Sequence, residues 1–265
     1  MRVLITNDDG IDSPGLRSLA DMARVRGHDV LVAAPCWDAS GSSASVTGVS
    51  QTGEVVAESR DWAGWAEDAV RAVDATPALI VFYALHEKFG PRPDVVLSGI
   101  NRGANTGRSI LHSGTVGAAF TAYQQDCPAL AVSSAVLDLA ASDPIHWESA
   151  AHFAGLLFDW LIKEQPRAVL NCNVPDRPLE EVLGIRAGGL AHIGAAQTSV
   201  TEEKGTPVRV TLGGEDESAE IESDAALLQR GFVSVTALRP IIEDPTVDLN
   251  GILGSGHVPS AVTQG

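Results

Sequence analysis

A chain of 265 residues with 45% apolar side chains is long enough for one large domain with a sizeable core, or for one domain with a smaller appendage. A formal charge of −16 argues against holding polymeric nucleic acid by its phosphates, and no stretch approaches the roughly 20 apolar residues of a membrane span. Cys36, Cys127 and Cys172 are odd in number and widely spaced, which suggests neither a disulfide framework nor a zinc site; with no signal peptide visible, the expected compartment is a reducing cytoplasm. The acidity leaves room for a small phosphorylated substrate, received locally by a metal ion, backbone N–H groups or a helix N-terminus.

Residues 2–6 form a short apolar run, in which Val3, Leu4 and Ile5 read as a parallel strand covered on both faces. The run ends in Asn7-Asp8-Asp9-Gly10. Two adjacent carboxylates therefore fall at the carboxyl end of a strand, where open α/β sheets place their ligands. Like charges repel, and a hard divalent cation would hold them. A turn with an Asp at a helix N-cap accounts equally well for one of the two. Ser13 as N-cap and Pro14 at the first helical position predict a helix to about residue 26, with Leu16, Leu19, Ala20 and Ala23 on its apolar face and Gly27 as its stop. Residues 29–34 are the second strand, so the chain opens β-α-β and implies a right-handed crossover in a parallel sheet.

Pro35 closes that strand, and the loop Ala39-Ser40-Gly41-Ser42-Ser43-Ala44-Ser45 follows at the same sheet edge. Its composition is that of a flexible linker; its position favours a phosphate or metal contact. Residues 51–65 read as a short strand or an excursion carrying Trp62 and Trp65. A strand over 68–73, a helix from Thr76-Pro77 to about residue 88, a rigid turn at Gly90-Pro91-Arg92-Pro93 and a core strand over 94–98 come next. The last of these runs into Ser98-Gly99-Ile100-Asn101-Arg102-Gly103-Ala104-Asn105-Thr106-Gly107. Glycine permits close backbone approach there, and asparagine supplies neutral oxygen. His112-Ser113-Gly114-Thr115 then opens a helix through Tyr123, whose start is an ordinary cap and an anion site at once. Three such loops at one sheet edge favour a functional pocket.

A strand over 129–134, a helix over 146–163 and a strand over 167–174 continue the core pattern. Past residue 180 the pattern changes. Residues 184–196 read as loop, 207–212 with 219–222 as a hairpin around Gly213-Gly214, 224–230 as a short helix before Gly231, and 232–238 as a strand. The expected organisation is a Rossmann-like catalytic core over 1–180, an extension over 181–240 with a hairpin and a strand returning to the core, and a tail over 241–265.

The chain resembles the SurE family, the survival-protein nucleotidases, which are metal-dependent phosphomonoesterases. The resemblance is carried by Asn7-Asp8-Asp9-Gly10, Pro14-Gly15, Ala34-Pro35, Ser40-Gly41 with Ser43, and above all Ser98-Gly99-Ile100-Asn101 with Gly103 and Asn105, followed by Ser113-Gly114-Thr115. Weaker matches are Thr76-Pro77, Asn171 with Asn173-Val174-Pro175, and Ser223-Asp224 before the strand at Val233. A lone Asp-Asp-Gly carries little information; the ordered set, reaching to about Pro240, carries much. The resemblance implies an α/β fold, a Rossmann-like three-layer parallel sheet with a C-terminal β-hairpin extension that contributes to a homodimer or homotetramer. It implies Asp8, Asp9, Ser40 and Asn101 as ligands of one divalent cation, Mg or Mn, since all present oxygen. It implies Asn7, Gly41, Asn105, Ser113, Gly114 and Thr115 on the phosphate side.

The expected activity is hydrolysis of a nucleoside monophosphate or a related nucleotide-like metabolite. The cation would neutralise phosphoryl oxygens and activate the attacking water, with Asp8 or Asp9 as base. A non-catalytic nucleotide or phosphometabolite binder on the same fold is the alternative. A dinucleotide oxidoreductase fails at the first turn, which lacks G-x-G-x-x-G. Several positions depart from the family pattern: Cys36, Trp37 and Asp38 after Ala34-Pro35, Ala75 and Leu79 around Thr76-Pro77, the half-matching stretch Ile185-Arg186-Ala187-Gly188, and Ala225 after Asp224. They point to a retained phosphatase with an altered substrate.

Overall fold

The computed structural model describes residues 1–48, 54–136, 144–164, 166, 168–192, 199–200, 210–211, 221–242 and 246. The strands are β1 (Arg2–Thr6), β2 (Asp29–Pro35), β3 (Ala57–Ser59), β4 (Val70–Val73), β5 (Val95–Arg102), β6 (Ala129–Ala135), β7 (Val169–Pro175), β8 (Ile185–Ala187), β9 (Ser199–Val200), β10 (Val210–Thr211) and β11 (Val233–Leu238). The helices are α1 (Pro14–Val25), α2 (Pro77–Leu85), α3 (Gly114–Gln124), α4 (Trp147–Glu164) and α5 (Asp224–Gln229). One nine-stranded sheet runs β3-β4-β2-β1-β5-β6-β7-β11-β8. The strands from β4 to β7 pair in parallel; β3 on β4 and β11 on β7 are antiparallel, so the sheet is mixed and mostly parallel.

The sheet is covered on both faces, as its continuous apolar strands require. Successive side chains of a strand point to opposite faces. Val3 and Ile5 accordingly pack with Leu16 and Leu19 of α1 and Phe158 and Leu161 of α4. Leu4, between them, packs on the other face with Ile80 and Val81 of α2 and Val116 and Ala119 of α3. From β1 the chain moves outward one way to β2 and β4. From β5 it moves the other way to β6 and β7. The order reverses between β1 and β5, and a crevice opens at their carboxyl ends. Asp8 and Asp9 follow β1 and Asn101 ends β5, so the topology alone brings them together.

Two expectations needed correction, and a third lies largely outside the described residues. Residues 184–196 contain β8, which pairs in parallel with β11; its three residues are all exposed, so no alternation marks them. Ser13 stands at the N-cap of α1 but its hydroxyl makes no capping bond. The expected hairpin at 207–212 falls largely outside the described residues, as do Gly213 and Gly214. Within the described residues, Val210–Thr211 pairs antiparallel with the upstream β9, while Ile221 and Glu222 lie in a turn.

The excursion before β4 resolves into β3 and a loop strapped to α1. The Arg17 guanidinium lies 4.9 Å from the Trp62 ring centre and that of Arg24 lies 4.5 Å from Trp65. The Trp65 indole N–H donates to Asp21 at 3.2 Å. Both tryptophans are packing residues here. No helix among the described residues is long and apolar enough to cross a membrane.

Candidate active site

The crevice is built from the loops after β1, β2 and β5, the last of which leads to the start of α3. Asp8 leaves β1 with only 4% of its surface exposed. Its Oδ1 accepts the Thr115 hydroxyl at 2.5 Å, and the Gly114 and Thr115 N–H groups at the start of α3 also favour its charged form. The helix N-terminus expected to receive an anion thus already faces one, the Asp8 carboxylate. Gly114 is obligatory at that spot: a Cβ there would lie 2.7 Å from Asp8 Oδ2 and 2.7 Å from Ser42 Oγ. Ser113 caps the helix through its hydroxyl, which accepts the Val116 N–H at 3.1 Å.

Asp9 is less enclosed, and its Oδ2 accepts the Arg102 backbone N–H at 3.2 Å. That bond joins the ends of β1 and β5. Just before it, the pairing of β5 with β6 shifts register between Ser98 and Asn101. Gly99 permits the shift with φ +136°, and a Cβ there would meet the Val132 carbonyl oxygen at 2.2 Å. The Asn101 amide donates to the Gly103 carbonyl at 2.7 Å, leaving its Oδ1 as the acceptor end.

Burial raises the pKa of both acids. Asp9 is pushed up to about 7 by burial first and by the Asp8 charge second; Asp38 adds to the rise, while the Arg102 N–H and guanidinium oppose it. The sign follows for the metal-free protein. A carboxyl whose folded pKa is raised disfavours the fold once it ionises, so the cost is absent below about pH 3.8, grows through about pH 7 and is full above it. Asp9→Asn removes that cost. In chelator, it is expected to raise unfolding free energy over wild type by about 1–3 kcal/mol near pH 8, with the gap closing toward pH 4. Urea unfolding at the two pH values checks this; an equal gap at both contradicts it.

The loop after β2 docks on the pair through the Ala39 N–H, which donates to the Asp8 carbonyl at 2.7 Å. Within it, Ser40 is exposed and its hydroxyl donates to Asp38 Oδ1 at 2.5 Å. Gly41 has φ +79° with nothing within 4 Å of a Cβ position. Ser43 donates to the Leu111 carbonyl at 2.7 Å, and the Thr76 hydroxyl at the start of α2 donates to the Ser45 carbonyl. The loop is therefore braced from α2, from the segment before α3 and from β1.

Asn7 is fully buried, and its amide donates to the Gly10 carbonyl at 3.0 Å, bracing the turn that carries Asp8 and Asp9. Asn105 lies toward β6 and β7. Its N–H donates to Asn173 Oδ1 at 2.7 Å, its amide to Ser133 Oγ at 2.9 Å, and its carbonyl accepts both the Asn171 and Asn173 amides at 2.9 Å. The structure thus gathers Asp8, Gly114 and Thr115 in direct contact, and joins Asp9 to the residue after Asn101. It holds Ser40 on Asp38, and Asn105 in a separate amide network. Asp38, Asn171 and Asn173 carry site contacts, and the sequence pattern assigns them no role. For the two asparagines a signal existed: polar residues at alternate positions in the otherwise apolar β7.

Among the described residues no group of three His, Cys, Asp or Glu side chains gathers where it could hold a metal ion. The oxygens at these strand ends come from two carboxylates, an amide and a hydroxyl, a set that suits a hard cation completed by neutral donors rather than zinc. Two buried carboxylates with raised pKa values are what a cation would relieve.

A family model described as survival protein SurE matches residues 3–199. The 5'-nucleotidase SurE of Aeromonas hydrophila is 34% identical over 248 residues, covering 90% of this chain and 92% of its own. The 5'/3'-nucleotidase SurE of Cronobacter sakazakii is 36% identical over 243 residues, covering 90% of each. The crystal structure of SurE from Aquifex aeolicus matches with a TM-score of 0.74 at 29% identity, covering 92% of this chain and 95% of that one.

Proposed function

The chain belongs to the SurE family, and from that premise we propose that it is a nucleotidase, a phosphoric monoester hydrolase acting on nucleoside monophosphates or a closely related metabolite. The observation that carries the reading is the Thr115–Asp8 hydrogen bond at the reversal of strand order. It couples an acid of the first strand end to the helix start suited to a phosphate. The non-catalytic binder is not favoured, since the relatives are named nucleotidases.

Asp8, Asp9, Ser40 and Asn101 would hold one divalent cation, which supplies charge neutralisation at phosphoryl oxygens and a more acidic water. Ser40 would turn its hydroxyl from Asp38 to join that set. Ser113 would meet the phosphate through its hydroxyl proton, and Gly114 and Thr115 through N–H groups they share with Asp8, with Gly41 and Asn105 on its flanks and Asn7 fixing the turn beneath. Thr115 holds Asp8 in one orientation, and the Arg102 N–H holds Asp9. Asp9, the more exposed of the two acids, is the better placed to accept a proton from the attacking water. Phosphoryl transfer depends mostly on such positioning and charge stabilisation.

The exposed Leu183 before edge strand β8 and Ile185 within it favour a homo-oligomer, and the three unpaired cysteines favour a reducing compartment. Substrate choice is tested by measuring inorganic phosphate release from nucleoside 5'- and 3'-monophosphates and from glycerol phosphate, with Mg²⁺ or Mn²⁺. Turnover of a nucleotide at least about tenfold above glycerol phosphate is expected. Equal turnover of all esters, or none, contradicts the assignment.

A further inference from the structure

Asp224 is a fully buried carboxylate that the chemistry above does not use. It opens α5, more than a hundred residues from the loops of the crevice. Its Oδ2 accepts the Gly107 N–H at 2.8 Å. Its Oδ1 accepts the Ala191 N–H at 3.0 Å and the Ala225 N–H at 2.8 Å. The Asp224 N–H donates to the Gly189 carbonyl at 2.8 Å, and the Arg108 N–H to the Ala191 carbonyl at 3.2 Å. One carboxylate therefore ties together three stretches: the start of a 3-10 helix (Gly107–His112), the segment after β8, and α5.

An acid in the first turn of a helix is ordinary, but that role accounts for the Ala225 bond alone. The cap itself is Ser223, whose hydroxyl accepts the Ala226 N–H at 3.3 Å. The other two bonds cross the fold. The 3-10 helix that begins at Gly107 ends at His112, and a single extended residue, Ser113, joins it to Gly114 and Thr115 at the start of α3. Its far end is fixed to the Ser/Gly loop by the Ser43–Leu111 bond. Its near end is fixed by Asp224.

We propose that Asp224 is a positioning residue for the phosphate side of the site, acting through Gly107 and the 3-10 helix on Ser113-Gly114-Thr115. The C-terminal part of the chain thereby sets the geometry of a site whose chemistry lies in the N-terminal part. The inference rests on the reading of Ser113-Gly114-Thr115 as phosphate-binding.

Asp224→Asn cuts one side of this link. The asparagine carbonyl keeps the Ala191 and Ala225 donors, while its NH₂ is set against the Gly107 N–H, donor to donor. The opposite flip would set NH₂ against two donors. The variant is expected to raise KM for a nucleoside monophosphate, and the inhibition constant of inorganic phosphate, about fivefold or more. The Mn²⁺ concentration giving half-maximal activity should stay within about twofold. Ser223→Ala loosens α5 but keeps all three Asp224 bonds, so it should lose stability with KM unchanged. If both variants lose stability and both keep the wild-type KM and phosphate inhibition, Asp224 is only structural and the proposal is overturned. Should Asp224→Asn not fold, hydrogen exchange on the wild type decides. Inorganic phosphate with Mg²⁺ should slow exchange of the Gly107 and Ala191 amides, and unchanged exchange at both overturns the link. Absence of wild-type turnover on every monophosphate would instead remove the site reading, a result separate from either.

Discussion

Asp8→Asn is expected to lower kcat/KM by about 10³-fold or more while the fold persists. The substitution keeps size and keeps an oxygen for the Thr115 hydroxyl. It removes the charge, which is the part a cation needs. Asp8 is the more buried of the two acids and sits between the loop after β2, the start of α3 and the end of β1. No other acid replaces it from there, since Asp9 is turned to the Arg102 N–H. Stability should change little, because the lower cost of burying a neutral amide offsets the NH₂ group set against the N–H donors at the start of α3. Steady-state kinetics and urea unfolding measured on one preparation check both halves. A folded variant with near-normal turnover would sink the assignment.

Gly114→Ala is expected to cut kcat/KM by about 10²-fold and to cost about 1–3 kcal/mol of stability. By helix propensity alone, alanine would stabilise α3 by up to about 1 kcal/mol. Space decides the other way. The added carbon would lie 2.7 Å from Asp8 Oδ2, 2.7 Å from Ser42 Oγ and 2.8 Å from Asp8 Cβ. The Ser42 hydroxyl can rotate aside, but Asp8 Cβ follows its backbone. Either the start of α3 or the strand-end turn must shift, and with it the Thr115–Asp8 bond. The same two measurements serve, and a variant both active and more stable than wild type contradicts the close approach.

Most of the core was legible because its signals are strong and local. The apolar runs of β1, β2, β5 and β6, the Pro-started helices α1 and α2, and the glycine at the end of α1 each mark themselves in a few residues. The meeting of Asp8, Asp9 and Asn101 was legible because parallel sheets send their strand ends to one edge. What escaped has a common cause. β8 is three exposed residues held by backbone bonds to β11, so its side chains carry no pattern. The Ser40–Asp38 bond sets a hydroxyl that composition alone leaves free. Asp224 reads as an N-terminal helix acid in sequence, and its bonds to Gly107 and Ala191 appear only when the fold brings distant backbone to it. The amide network around Asn105 lies between: the alternation of Asn171 and Asn173 was visible, its partner was not.

The proposed role of Asp8 and Asp9 is to form half of a cation site serving phosphomonoester hydrolysis. Its most direct test is phosphate release from a nucleoside monophosphate by wild-type protein dialysed against chelator, before and after Mg²⁺ or Mn²⁺ is restored, with Asp8→Asn alongside. The expected result is background turnover in chelator, recovery with either ion in the wild type and none in the variant. Full turnover by the dialysed wild type, or metal-restored turnover by Asp8→Asn, would contradict the account.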